Sequence, residues 1–421
     1  MPSTQVSTSP SNAERTRFKN EITEMLRGAV HVELSTIPLY LYSIYSIKGI
    51  RTDPNLPAGA MDGPRAKTKI SVIVRQEMLH LALAGNILTA IDSGPRLYIK
   101  SDIPTYGPNE TILYSRIPML LQPCQKDNLE CFLRIEAPYL PPPKLSDDEE
   151  SANLGATPAA NALYSDQLIP DYYSIGDFYA KLEEMILASG KYIQFKNKDL
   201  QYTPEEFFSG YMTQVVDDKT AHDAIKTIID QGEGSVGVAE AHYQMFLDLY
   251  ERQTDWECYP VPSEPRVEDY QKTPYVYQLA LASNATYCYL LITIEKTFQV
   301  SDSVQRRGLI TNTHAIMIDV MNRICDILVQ QQYETLTGSV LNAGPPFEWY
   351  PTSQGDDPAD IDKAANELYA AISQHLRNAI DEAKKDNRLR RDSSRLKKFV
   401  DDLTAILFSL GRVAWPKPSS T

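Results

Sequence analysis

GAVHVELSTIPLYLYSIYSIKG, residues 28–49, decides how the chain is read. Alanine, valine, leucine, isoleucine and tyrosine fill most of it. Leu26, Ala29, Val30, Ile37, Tyr40, Leu41 and Ile44 share one face of an α-helix. Glu33 falls at the centre of that face. An unpaired carboxylate buried there would cost several kcal/mol or be forced neutral. The residue therefore implies a partner elsewhere in the chain.

RQEMLHLAL, residues 75–83, supplies a candidate. Glu77 and His80 are three apart, neighbours on a helix surface. Their stripe is also apolar: Ile70, Ile73, Val74, Leu81, Ala84 and Ile87. Two helices thus press acidic and imidazole groups into one core, where a bound cation would satisfy them together.

Two later segments offer more ligands. SIGDFYAKLEEMIL, residues 174–187, opens with the S-x-x-D spacing of a capping box at Ser174 and Asp177. Glu183 flanks its apolar stripe and Glu184 points further away, but a helix rotation exchanges them. AIKTIIDQGEGSVGVAEAHYQMFLDLY, residues 224–250, places Glu233 on the line of Ile225 and Ile229, and His242 on the line of Phe246. The glycines between them imply a break or bulge that brings both inward. His222 reads as a cap or surface residue, His31 faces away from Glu33, and His314 reads as a core or capping histidine.

Collected, the set is Glu33, Glu77 and His80, Glu183 or Glu184, and Glu233 with His242. Four carboxylates and two imidazoles on four helices match the pattern of di-metal carboxylate bundles. Oxygen and imidazole ligands favour iron or manganese over a thiolate-type zinc site. One metal or two remain open. The catalytic assignment falls on Glu33, Glu77, His80, Glu233 and His242.

The organisation agrees. Helix 1 is expected over about 13–47, bent at Pro38, and helix 2 over about 67–91. Residues 94–172 are proline-rich, with short strand-like pieces such as CFLRIEAPYL, and read as one long crossover. The expected fold is all-α: a ferritin-like four-helix bundle with its long connection between helices 2 and 3. Residues 1–12 read as a disordered tail, 13–258 as the bundle and 259–274 as a linker. A second helical region, 275–421, carries segments near 275–299, 303–333, 358–386 and 393–411 and has a structural, capping role. GPPFEWY, 344–350, reads as a rigid loop packed on the bundle, and the basic run 384–398 as a solvated helix face.

Composition narrows the function classes. The 421 residues are 43% apolar and 23% charged, with a net charge of −14, so neither nucleic acid nor an anionic membrane is an expected partner. No apolar run is long enough to span a bilayer. Five scattered cysteines without a C-x-x-C pair favour free thiols in a reducing compartment, hence a cytoplasmic location. Neither a phosphate-binding glycine loop nor G-x-S-x-G is present.

LSTIPLYLYSIYSIKG, EMLHLALAGNILTAI, SIGDFYAKLEE, DQGEGS with AHYQMF, and NAGPPFEWYP together resemble the ferritin-like iminophenyl-pyruvate dimer synthase family, over roughly residues 20–350. That family includes the imine-coupling enzymes of violacein- and chromopyrrolate-type pathways. Related stand-alone members resemble iron-dependent oxidases of amino acids such as glycine. The resemblance implies metal ligation by Glu33, Glu77, His80 and His242, by Glu233 through QGEG, and by one helix-3 glutamate. Gln76 stands where many relatives carry an acid. The chain lacks the large extra domains of the violacein-type member, which favours a smaller oxidase over an imine-coupling synthase. The expectation is a non-haem iron oxidase or oxygenase acting with dioxygen on an amino acid, amine or imine, as a monomer or small homo-oligomer. A ferroxidase or iron-storage protein is the alternative of a different class.

Overall fold

The chain is described by a computed structural model over residues 10–49, 61–112, 117–137, 175–232, 241–335 and 337–417. Helix α1, Asn12–Ser46, begins with a reciprocal cap. The Glu14 amide donates to Ser11 Oγ, and the Glu14 carboxylate accepts from the Ser11 amide at 2.8 Å. It runs unbroken through Pro38. Near the proline, the Ser35 hydroxyl donates to the His31 carbonyl.

α2, Gly63–Ala90, starts on an Asp62 cap with Pro64 in its first turn. It packs along α1, and from Met78 to Ala90 it is buried on every side. Gly85 allows this: a Cβ there would lie 2.5 Å from the Phe298 ring.

Within the crossover, β1, Gly107–Ile112, pairs antiparallel with β2, Ile117–Met119. CFLRIEAPYL, expected to be strand-like, instead begins inside helix α3, Lys126–Ile135. Its buried residues Asn128, Leu129, Phe132 and Ile135 recur at helical spacing. Asp127 in the first turn and Arg134 in the last favour the helix dipole. Three further helices complete the bundle: α4, Ile175–Ser189, α5, Asp218–Gly232, and α6, His242–Glu251. Residues 138–174 of the crossover, the capping serine at 174 and the 233–240 segment lie outside the described residues.

The C-terminal helices are α7, Pro274–Thr297, α8, Ser303–Ala315, α9, Asn322–Leu328, α10, Ile361–Ala383, α11, Asn387–Arg391, and α12, Ser393–Leu410. A π-helical turn, Ile316–Met321, joins α8 to α9. β3, Gln332–Glu334, and β4, Val340–Asn342, form a short hairpin. α7 is buried nearly all round and packs chiefly on α10.

Polar contacts fasten these helices to the bundle. The Glu295 carboxylate accepts from the backbone amides of Leu97 and Tyr98. The Arg306 guanidinium pairs with Glu206 at 2.7 Å. The 344–350 loop is pinned through Glu348, which accepts from the Val267 amide and the Asn284 side chain. All five cysteines are free thiols. Among the described residues, no helix is long and apolar enough to cross a membrane.

Candidate metal centre

Glu33 is buried in the middle of α1, and its partners come from two helices. His80 Nδ1 lies 3.3 Å from its Oε2, and the Tyr179 hydroxyl of α4 donates to its Oε1. Glu77 is equally buried, and its two oxygens face different imidazoles. Oε1 is 2.9 Å from His242 Nδ1, and Oε2 is 4.0 Å from His80 Nδ1. The Thr36 hydroxyl donates to Glu77 Oε2 at 3.0 Å. Two triads result, Glu33–Glu77–His80 and Glu77–Glu136–His242, with ligand atoms in each within 4.8 Å of one another and Glu77 common to both.

The far nitrogens of the two rings are also held. His80 Nε2 lies 3.2 Å from Gln231 Oε1, and His242 Nε2 lies 3.1 Å from Gln76 Oε1. An amide oxygen only accepts, so each Nε2 carries the hydrogen. Both Nδ1 atoms face carboxylates. The rings stack with centroids 5.6 Å apart.

The fifth ligand-type group is Glu136, which the sequence reading missed. It caps the C-terminus of α3, where the Tyr40 hydroxyl donates to it and its Oε2 lies 3.4 Å from His242 Nδ1. Its signal was the one that exposed Glu33: read as a helix, Leu129, Phe132 and Glu136 form an apolar line ending in a carboxylate.

The structure brings together Glu33, Glu77, His80 and His242. It does not bring in Glu183 or Glu184. Glu183 pairs with His222 Nε2 at 2.8 Å, and Glu184 pairs with Lys181 near the surface. Tyr179, one turn before Glu183 on the same line of α4, reaches the cluster instead. Glu233 lies outside the described residues. His31 faces away, with Nδ1 3.3 Å from the Asp102 carbonyl.

Electrostatics follow from crowding three carboxylates in a buried site. Burial, reinforced by the charge of Glu33, pushes Glu77 well above the usual carboxylate range. Burial acts upward on Glu33 too, but hydrogen bonds and the charge of His80 outweigh it and hold Glu33 below its ordinary value. Burial opposes a charged His242, yet Glu136 and Glu77 prevail and push it up to about 10. Burial raises Tyr40 and Tyr179 well above 10, so both remain donors.

The donor set fits a pair of divalent cations. His242 Nδ1 is buried and, despite its short distances, makes no aligned hydrogen bond to either carboxylate. Nδ1 and the carboxylate oxygens converge closely enough to share a common ion. Glu33, Glu77 and His80 would hold one cation, and Glu77, Glu136 and His242 the other. Oxygen and imidazole donors suit iron or manganese. A small cavity lined by Ile175, Gly176, Tyr179, Ile228, Ile229 and Gly232 opens onto the cluster from α4 and α5.

Fold and site together define a helical-bundle protein with a buried carboxylate–histidine centre. A family model described as ferritin-like matches residues 26–251, more than half of the chain, and the protein belongs to that family. A crystal structure of a ferritin-like protein from Caulobacter vibrioides is similar over 70% of this chain and 94% of its own, with 23% identity and a TM-score of 0.45. No curated protein matches the chain.

Proposed function

We propose that the protein is a non-haem iron oxidase or oxygenase that uses dioxygen on an amino acid, an amine or an amino-acid-derived imine. The observation that carries the two-cation reading is Glu77, whose oxygens face separate histidines. When bound, iron supplies the electrons that activate dioxygen. The protein's side chains supply the rest. Tyr179, Tyr40 and Thr36 donate hydrogen bonds that orient Glu33, Glu136 and Glu77 before any ion arrives. Such preorganisation avoids rearranging the ligands during reaction. Ile175, Ile228 and Ile229 give the approach an apolar wall that limits water, while Gly176 and Gly232 leave room beside the ligands. Tyr179, at the cavity and on Glu33, is placed to hold or pass a proton at its hydroxyl.

The substrate class rests on the five motifs that resemble the iminophenyl-pyruvate dimer synthase family. Protein loaded with Fe(II) without oxygen should retain about two iron ions per chain. It should then consume dioxygen with one member of an amino-acid and 2-imino-acid panel. A coupled dimer as product would assign the imine-coupling reaction. Oxygen consumption with Fe(II) alone would assign a ferroxidase. Failure to take up iron or manganese would remove the proposal.

A further inference from the structure

Faces of α1 and α2 that flank the candidate metal centre border a second, much larger cavity of about 730 Å³. That is the size of a small-ligand pocket, roughly 300–1,000 Å³. It opens to solvent past the exposed residues Arg75, His314 and Ile318, while its inner wall belongs to the continuous core, so a guest can enter and bury apolar surface there. Its position is tied to the ligands by sequence: Leu34, Met78 and Leu81 line it, each directly following Glu33, Glu77 or His80. We propose that this cavity is a second small-molecule site, and that it takes an aliphatic carboxylic acid with its carboxylate on Arg75.

The wall selects the chain. Leu34, Ile37, Met78, Leu81, Leu290 and Met321 are aliphatic or thioether side chains, and methionine adapts to a flexible guest. The π-helical turn supplies Met317, Ile318 and Met321 to this wall, and π turns recur at functional sites. Ile318 is 60% exposed at the rim, an apolar side chain left without cover.

The rim selects the head group. Among the described residues, Arg75 makes no hydrogen bond, ion pair or ring contact, and it is exposed, so its guanidinium is available for a bidentate carboxylate. His314 stands at the same rim. Of the two acids there, Glu206 is committed to Arg306, leaving Glu205 alone beyond ion-pair distance of Arg75. Among the described residues, Arg75 is thus the unpaired cation of the rim, and Glu205 stands too far from it to neutralise it as an ion pair.

The test is calorimetric titration of the full chain with octanoate, decanoate and dodecanoate. Affinity should rise about fourfold per added methylene, from about 0.8 kcal/mol each, until the cavity is full. Met321→Trp, which fills the cavity, should abolish binding. Leu290→Phe provides a second filling variant if thermal melting shows the first to be unfolded. Arg75→Gln should weaken the acids at least tenfold and leave 1-dodecanol unchanged. Absence of saturable binding, undiminished binding by a folded filling variant, or tighter binding of dodecylamine than of dodecanoate would each overturn the assignment. Binding is read without iron, so its failure is separate from failure of the oxidase reading.

Discussion

Gln76 and Glu77 are consecutive on α2 and grip opposite nitrogens of one imidazole: Gln76 Oε1 is 3.1 Å from His242 Nε2, and Glu77 Oε1 is 2.9 Å from Nδ1. The amide oxygen accepts from Nε2, and the carboxylate faces Nδ1. Gln231 does the same for His80 from α5. The candidate metal centre thus has its imidazoles held by amides that are not themselves candidate ligands.

Replacing those amides should therefore weaken metal binding without removing a ligand. Gln76→Leu and Gln231→Leu are each expected to lower affinity about 10- to 100-fold, the usual effect of losing an outer hydrogen-bond partner. Titration with Co(II), followed by its visible absorption, measures this. An unchanged titration would mean that the amides only fill space.

Glu77→Ala should fall below one tenth of the wild-type iron content, because both triads lose their shared carboxylate. The metal-free variant should melt no lower than the metal-free parent, since one of three crowded buried carboxylates is gone. Metal analysis and calorimetry check the two halves. Retained iron and oxygen consumption would refute the bridging role.

Metal binding should release a proton at neutral pH. In the metal-free protein His242, at about 10, is protonated at pH 7, and an ion can bind Nδ1 only after that proton leaves. Affinity should therefore rise about tenfold per pH unit across the neutral range, as expected for one displaced proton. Calorimetry in buffers of differing ionisation enthalpy counts the protons. The sign for stability is the reverse. His242 is raised from 6.5, so its contribution to the metal-free fold is full below 6.5 and is lost as pH rises through about 10.

Gly85→Ala should destabilise the fold by about 1–3 kcal/mol, the usual cost of overpacking. The added methyl would meet the Phe298 ring on the far side of a helix buried all round. Denaturant melts measure the loss, and Phe298→Leu in the same chain should recover part of it.

Glu33, Glu77, His80 and His242 were legible because a charged or imidazole group on an apolar helical stripe is costly without a partner, and that cost is local to the helix. Glu136 carried the same signal, but its short helix lies in a proline-rich crossover that reads as extended chain. The choice between Tyr179 and Glu183 was not legible at all. They share one line of α4, one turn apart, and only the seating of α4 against α1 selects the turn that reaches Glu33.

By itself the sequence determined the helical periods, their apolar faces and most of the groups forced into the core, since these follow from spacing along a single helix. Tertiary structure alone decided which turns meet, which amide holds which ring, and that Glu77 faces two histidines. Those are distances between separate helices, fixed by how they pack, and no one helix encodes them.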